Sequence, residues 1–147
     1  MAFARPPLSL KGRALRLLSQ REHSRAELER KLATHEEVPG TLAQALDELQ
    51  TKGFISEARV VESVIHRRAS KLGTARVQQE LLAKGLSSEA MAETLEQLRS
   101  TELERAREVW SRKFGEPSSD PKERARQMRF LLSRGFAPEV VRKVTSP

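Results

Sequence analysis

A chain of 147 residues is long enough for one ordinary domain, or for a few very small modules that share a core. Its 27 Lys and Arg against 20 Asp and Glu leave a net charge of +7. That excess favours acidic partners, either nucleic acid or an acidic protein surface, and says nothing about fold. The absence of cysteine excludes a disulfide framework and any thiolate zinc site, and no apolar run approaches the roughly 18 residues of a membrane span.

The opening MAFARPPLSLKGR carries cations but no continuous apolar stretch, so it does not read as a secretory leader; a cytoplasmic protein is the expectation. From there Ala, Leu, Glu, Arg, Lys and Gln dominate every segment and alternating β-branched runs are absent, which makes the fold class all-α. Nine helices are predicted, near 9–20, 24–34, 39–52, 56–71, 74–84, 87–100, 102–115, 120–134 and 137–145. Ser24 and Glu27 form a capping-box pattern at the second, and Thr101 and Glu104 the same pattern at the seventh. RVVESVI at 59–65 fits the fourth helix better than a strand, with Val61, Val64, Ile65 and Arg68 at helical spacing. Asp120 before Pro121, and Pro138 after Ala137, open the last two. Gly53, Gly85 and Gly135 each follow a cation at the end of a helical run and fit C′ stops.

The nine helices group in threes. Leu28, Leu32, Leu42, Leu46 and Leu49 recur 49 residues later as Val77, Leu81, Met91, Leu95 and Leu98. About 50 residues further on, Leu81, Gly85, Leu86, Glu89 and Met91 become Leu131, Gly135, Phe136, Glu139 and Val141. An amphipathic chain that self-matches by chance is the competing explanation. The repeat reading gives an elongated array of three tandem three-helix units, 9–54, 55–100 and 101–147, stacked because each alone has too little core. Val77, Leu81 and Leu82 are read as the core side of the middle unit's second helix, and Gly53, Gly73 and the 115–119 stretch as caps or hinges.

Catalytic chemistry finds little footing. His23, His35 and His66 are isolated, sit beside charged residues and read as surface or capping positions; they match no metal-ligand spacing. No Gly-rich phosphate loop, nucleophile elbow or paired-carboxylate motif occurs, so no catalytic residue, metal or cofactor is expected and the chain does not read as an enzyme.

Charge distribution is more informative. Residues 102–147 carry eleven cations against seven acids, a larger excess than either preceding third. In the middle unit Arg67, Arg68, Lys71, Arg76 and Lys84 face a single acid, Glu80, between 66 and 84. In the last, Lys122, Arg126 and Arg129 form a stripe at i, i+4 and i+7, with Arg124 and Arg134 nearby. Two such stripes suit a phosphate backbone or an acidic protein ridge, against the alternative that each is a solvated helix face. No aromatic is interleaved in the manner of a base-stacking surface.

GTARVQQELLAKGLS resembles the middle signature of the bacterial RecX family, through Gly73, Arg76, Val77, Glu80, Leu81, Lys84, Gly85 and Leu86. ALRLLSQREHSRAELERKL is similar to its first-unit pattern, with Leu18, Arg21, Ser24, Glu27, Leu28 and Leu32 in place. RFLLSRGFAPEVV is similar to its last-unit pattern through Arg134, Gly135 and Phe136, so the resemblance runs from about residue 10 to 145. It implies a non-enzymatic negative regulator of RecA recombinase, in the setting of DNA recombination, repair and the SOS response. Such a regulator binds the RecA–DNA filament within its groove and inhibits ATPase, strand-exchange and coprotease activities, here as a monomer. The chain departs from the family after its first unit: Ser56-Glu57, Val60-Val61 and Val64 stand where an acidic pair, Phe-Ala and an aromatic are usual. A direct, non-specific DNA-binding protein and a helical adaptor for an acidic protein are the alternative readings of the same charge.

Overall fold

The computed structural model describes residues 7–147; the MAFARP start of the stretch assessed as a leader lies outside the described residues. Among the described residues the chain is all-α, without strands. The helices are α1 Leu10–Gln20, α2 Arg25–Leu32, α3 Thr41–Thr51, α4 Glu57–Arg68, α5 Thr74–Ala83, α6 Ser88–Ser100, α7 Glu102–Lys113, α8 Pro121–Ser133 and α9 Pro138–Thr145. A 3-10 turn over Ala33–His35 follows α2.

Local chemistry explains most of these boundaries. Ser9, Ser24, Ser87 and Asp120 each accept a backbone N–H of the helix they precede. The capping box at Ser24 is complete, since Glu27 accepts the Ser24 N–H in return. Gly53, Gly85 and Gly135 turn the chain with φ of +84°, +75° and +92°, a region that side chains resist. The pattern at Thr101 misleads. Its hydroxyl donates backward to the Gln97 and Leu98 carbonyls, and its side chain caps nothing.

By compactness the chain divides into two units, one running through Val60 and including Lys84–Leu86, the other comprising Val61–Ala83 and Ser87–Pro147. Every apolar position of the 49- and 50-residue repeats is buried, from Leu28, Leu32 and Leu42 to Leu131, Phe136 and Val141. Leu82 is the exception to the core reading: it is 53% exposed, because the buried face of α5 is carried by Val77 and Leu81.

In the first unit Ala14, Leu28, Leu32, Leu42, Leu46, Leu49 and Ile55 form the core. A polar cluster lies beside it. The Glu27 carboxylate accepts from Arg21 at 2.8 Å, from the Ser24 N–H at 3.0 Å and from Lys84 Nζ at 3.4 Å. Ser24 Oγ also donates to the Lys84 carbonyl. Burial pushes this carboxyl up, but the Arg21 hydrogen bond, the Ser24 N–H and the Lys84 charge override it and hold it at about 2. His23, expected at the surface, is instead buried, with Nδ1 against the Arg21 carbonyl at 3.0 Å and Nε2 3.3 Å from Lys31 Nζ; burial lowers its pKa. His35 and His66 are exposed.

The second unit is organised around a close crossing of two glycines. Gly73 is buried and donates its N–H to the Arg134 carbonyl at 2.8 Å. A Cβ on Gly73 would meet the Gly135 carbonyl oxygen at 2.2 Å, and one on Gly135 would meet Arg76 Cγ at 2.2 Å. Gly73 is therefore a packing contact; its φ is not positive, unlike that of the capping glycines.

Two α7 side chains three residues apart seal this crossing. Glu102 accepts the Thr74 N–H at 2.7 Å and the Ala137 N–H at 3.4 Å, at the starts of α5 and α9. Arg105 donates to the carbonyls of Ala69 (3.0 Å), Leu72 (2.7 Å) and Leu98 (2.8 Å), and to the Thr74 and Thr101 hydroxyls. Burial draws its pKa down, and the Glu102 charge opposes that. Behind them Ala106, Val109, Leu131, Phe136, Val141 and Val144 pack as a core, and Trp110 Nε1 donates to the buried Gln127 at 2.9 Å.

Two stability predictions follow from this packing. Gly73→Ala must separate two backbones and is expected to cost about 1–3 kcal/mol or more, read as a lower thermal midpoint by circular dichroism. Glu27→Gln tests the first unit. The folded chain holds this proton less tightly than the unfolded chain, so the stabilisation is complete above about pH 5 and is lost as pH falls toward 2. Urea unfolding should place the variant up to about 3 kcal/mol below the parent at pH 7, with the gap closing by about pH 2.

Candidate functional site

The second unit carries an open cleft of about 660 Å³ walled by the end of α4, by α5, by α7 and by the end of α8. Its lining includes Arg68, Lys71, Arg76, Arg112 and Arg134 against one acid, Glu80, with Leu72, Val109 and Phe130 supplying apolar surface. The cations arrive from separate elements. Arg68 closes α4, Lys71 follows it, Arg76 lies in the first turn of α5, Arg112 in the last turn of α7, and Arg134 caps α8.

Backbone carbonyls hold two of these guanidinium groups in place. Arg76 Nη1 donates to the Ser133 carbonyl and Arg112 Nη2 to the Ser70 carbonyl, both at 2.7 Å. Each bond engages one nitrogen of a group that carries five N–H donors, so both residues are oriented without being saturated. Arg134 lies over the Phe130 ring at 4.8 Å, and Lys113 over the same ring at 5.3 Å. Glu80 accepts from Arg68 Nε at 3.2 Å through Oε1, while its Oε2 is shielded from solvent and has no hydrogen-bond partner.

Of the nine cations singled out in the sequence, the cleft gathers Arg68, Lys71, Arg76 and Arg134. Arg67 is exposed on α4, with Nε donating to the Ser63 carbonyl at 3.3 Å. Lys122, Arg126 and Arg129 are exposed on α8 outside the cleft lining, and Arg126 lies 3.7 Å from Glu123 and 5.6 Å from the Phe114 ring. Lys84 belongs to the other unit, where its side chain is 14% exposed and engaged with Glu27. Sequence reading missed Arg112 and Phe130. Arg112 lies seven residues from the half-buried Arg105, which puts both on one face of α7, but that spacing marks a shared face and not a site. Phe130 and Phe114 stand among cations of α7 and α8. Their rings meet edge to face at 5.5 Å with Lys113, Arg126 and Arg134 around them.

No group of three metal-ligating side chains occurs among the described residues, nor any helix there long and apolar enough to cross a membrane. What remains is an all-α repeat protein that presents an organised cationic cleft. Three family models match it in order: the first three-helix domain of RecX over residues 11–49, the second over 56–95 and the third over 100–145. The chain belongs to the RecX family and consists of its three tandem three-helix domains. It is 60% identical over 144 residues to the regulatory protein RecX of Leptothrix cholodnii, covering 98% of this chain and 92% of that one. To the regulatory protein RecX of Ralstonia nicotianae it is 51% identical, covering 98% and 91%. Among solved structures, RecX from Lactobacillus salivarius superposes with a TM-score of 0.74 at 17% identity, covering 92% of this chain and 91% of that one. A second structure of a regulatory protein RecX gives 0.75 at 18%, covering 92% and 70%. At those identities the likeness is one of fold.

The environments of Lys84 and Lys122 differ enough to separate structural from surface cations. Lys84→Gln leaves the buried Glu27 short of a partner and should lower stability by about 1–3 kcal/mol. Lys122→Gln, at an exposed position, should stay within about 0.5 kcal/mol. Parallel urea titrations of the two variants check this.

Proposed function

We propose that this chain is a negative regulator of RecA recombinase that docks on the RecA–DNA filament through the cationic surface of its second and third domains. The reading rests on family membership, and the observation that carries it to particular residues is the convergence of Arg68, Lys71, Arg76, Arg112 and Arg134 on one cleft. A nucleoprotein filament offers both acidic protein surface and phosphate, and a rigid helical scaffold with fixed guanidinium groups is suited to either. Arg67, beside Arg68, and the exposed Lys122, Arg126 and Arg129 extend the same charge beyond the cleft. Inhibition of ATPase, strand exchange and coprotease activity follows if docking blocks filament growth or the groove that those reactions share.

Reversing Arg67, Arg68 and Lys71 to Glu tests the reading directly. The triple variant should keep its helicity and require roughly ten-fold more protein for half-inhibition of the single-strand-dependent RecA ATPase. Unchanged inhibition in a folded triple variant would mean that docking uses another surface.

A further inference from the structure

We propose that His23 is an acid-sensitive latch: as a neutral imidazole it ties the α1–α2 connector to Lys31, and on gaining a proton it lets that connector loosen its hold on the Lys84 corner. The device belongs to the first unit and is independent of the docking surface above.

Hydrogen-bond polarity fixes the state of the ring. Nδ1 lies 3.0 Å from the Arg21 carbonyl, which can only accept, so Nδ1 carries the hydrogen. Nε2 lies 3.3 Å from Lys31 Nζ, and an ammonium group can only donate, so Nε2 keeps its lone pair. A protonated ring has donors at both nitrogens. It would set an N–H against the Lys31 ammonium and break the bond between them. His23 is 1% exposed, so water cannot replace the lost partner while the connector stays closed.

No neighbouring carboxylate is free to compensate the new charge. Arg21 precedes the ring in the connector, Lys31 faces it from α2, and Arg13 and Arg16 of α1 line a hollow with Lys31 and His35. The acids of the connector and α2 are already paired: Glu22 with Arg59 of α4, Glu27 with Arg21 and Lys84, and Glu29 with Arg25. On α3, Asp47 is taken by Arg25, and Glu48 by Lys11 and Lys52. Burial, joined by the Arg21 and Lys31 charges, pushes the His23 pKa below its ordinary 6.5; the Arg21 carbonyl and the Glu27 charge oppose this without reversing it. The folded chain thus holds this proton less tightly than the unfolded chain. The latch is closed above the ordinary histidine value and is lost as pH falls below it.

Ser24 carries the effect onward. It follows His23, caps α2 and donates through Oγ to the Lys84 carbonyl. Glu27, in the first turn of α2, takes Lys84 Nζ. A connector that loosens at His23 therefore loosens its grip on Lys84–Leu86, a stretch that belongs to the first unit. Glu27 itself titrates at about 2, so it stays charged in the histidine range and separates the latch from general acid unfolding.

Nuclear magnetic resonance on the full chain tests this. The His23 midpoint should lie below that of the same residue in the urea-unfolded chain. Between about pH 7.5 and 5, protection of the Ser24, Glu27 and Leu28 amides, corrected for intrinsic exchange, should fall about three- to ten-fold, the worth of one hydrogen bond. The Lys84 to Leu86 resonances should shift over the same range. His23→Gln does not titrate, and a Gln side chain can both donate to Arg21 and accept from Lys31, so both responses should disappear. If that variant fails to fold, Lys31→Gln replaces it at an exposed position. It exchanges an obligate donor for a group that can accept, and should raise the His23 midpoint and shrink the loss of protection. The inference is overturned if His23 titrates in the folded parent as it does in urea, or if protection holds constant across the range. It also fails if a folded His23→Gln chain loses protection to the same degree, or if Lys31→Gln leaves the midpoint unchanged. No readout involves RecA or DNA, so the latch and the regulatory reading fail separately.

Discussion

The second unit depends on one pair of side chains a single helical turn apart. Glu102 places a carboxylate at the starts of α5 and α9, and Arg105 places a guanidinium at the carbonyls that trail α4 and end α6. Helix starts present unpaired N–H groups and partial positive charge; helix ends present unpaired carbonyls and partial negative charge. A short acid–base pair on α7 therefore answers four helix termini in the polarity each requires. The residues preceding α5 and α9 are Gly73 and Ala137, which have no side-chain acceptor of their own. Gly73 lacks one because a side chain there would drive into the Gly135 backbone. The cap is supplied from α7 because packing forbids it locally.

The same device builds the cleft. Arg112 stands two turns beyond Arg105 on α7 and takes the Ser70 carbonyl, so the two arginines together hold the Ala69, Ser70 and Leu72 carbonyls of the segment that leaves α4. Arg76 does the equivalent for the Ser133 carbonyl at the end of α8. Its stem packs against Gly135, whose missing Cβ makes the room. The glycine crossing brings the end of α8 against the start of α5, and that apposition places Arg134 and Phe130 opposite Arg68 and Lys71. Cleft and fold share their anchoring bonds, so the cationic wall is as rigid as the helix ends that hold it.

The helices were legible in the sequence because they rest on short-range rules, and the repeat because the same local pattern recurs at a fixed offset. The spacing of Leu28 and Leu32 in α2 and of Val77 and Leu81 in α5, the Ser24 cap and the capping glycines each act within a turn or two. Where a residue acts across the fold, local rules mislead. Thr101 and Glu104 show a capping-box pattern, yet the functional carboxylate of that turn is Glu102, whose acceptors are needed 28 and 35 residues away. Gly73 looks like a corner and is a backbone contact. Leu82 continues an apolar run but falls on the outer side of α5, and His23 stands among charges in the sequence yet is buried. The cationic stripes were visible as composition; that Lys84 is spent on Glu27 while Arg112 joins the cleft depends on tertiary partners that periodicity does not encode.

Counting positive charge along a helix does not separate cations that hold a fold from cations that hold a partner, and the distinction matters most for arginine. Lys84, with one compact ammonium group, is largely consumed by Glu27 once that carboxylate is buried. Arg76 and Arg112 differ because a planar group with five donors can bind a carbonyl with one nitrogen and still present an organised face. Arg134 reaches a similar end by lying on the Phe130 ring, which restrains the guanidinium without using its N–H groups. Replacing these arginines by lysine would conserve charge and lose that dual capacity. Arg76 and Arg112 thus take carbonyls beside helix ends and line the cleft as well. The economy follows from building a small helical domain whose termini converge at its seams.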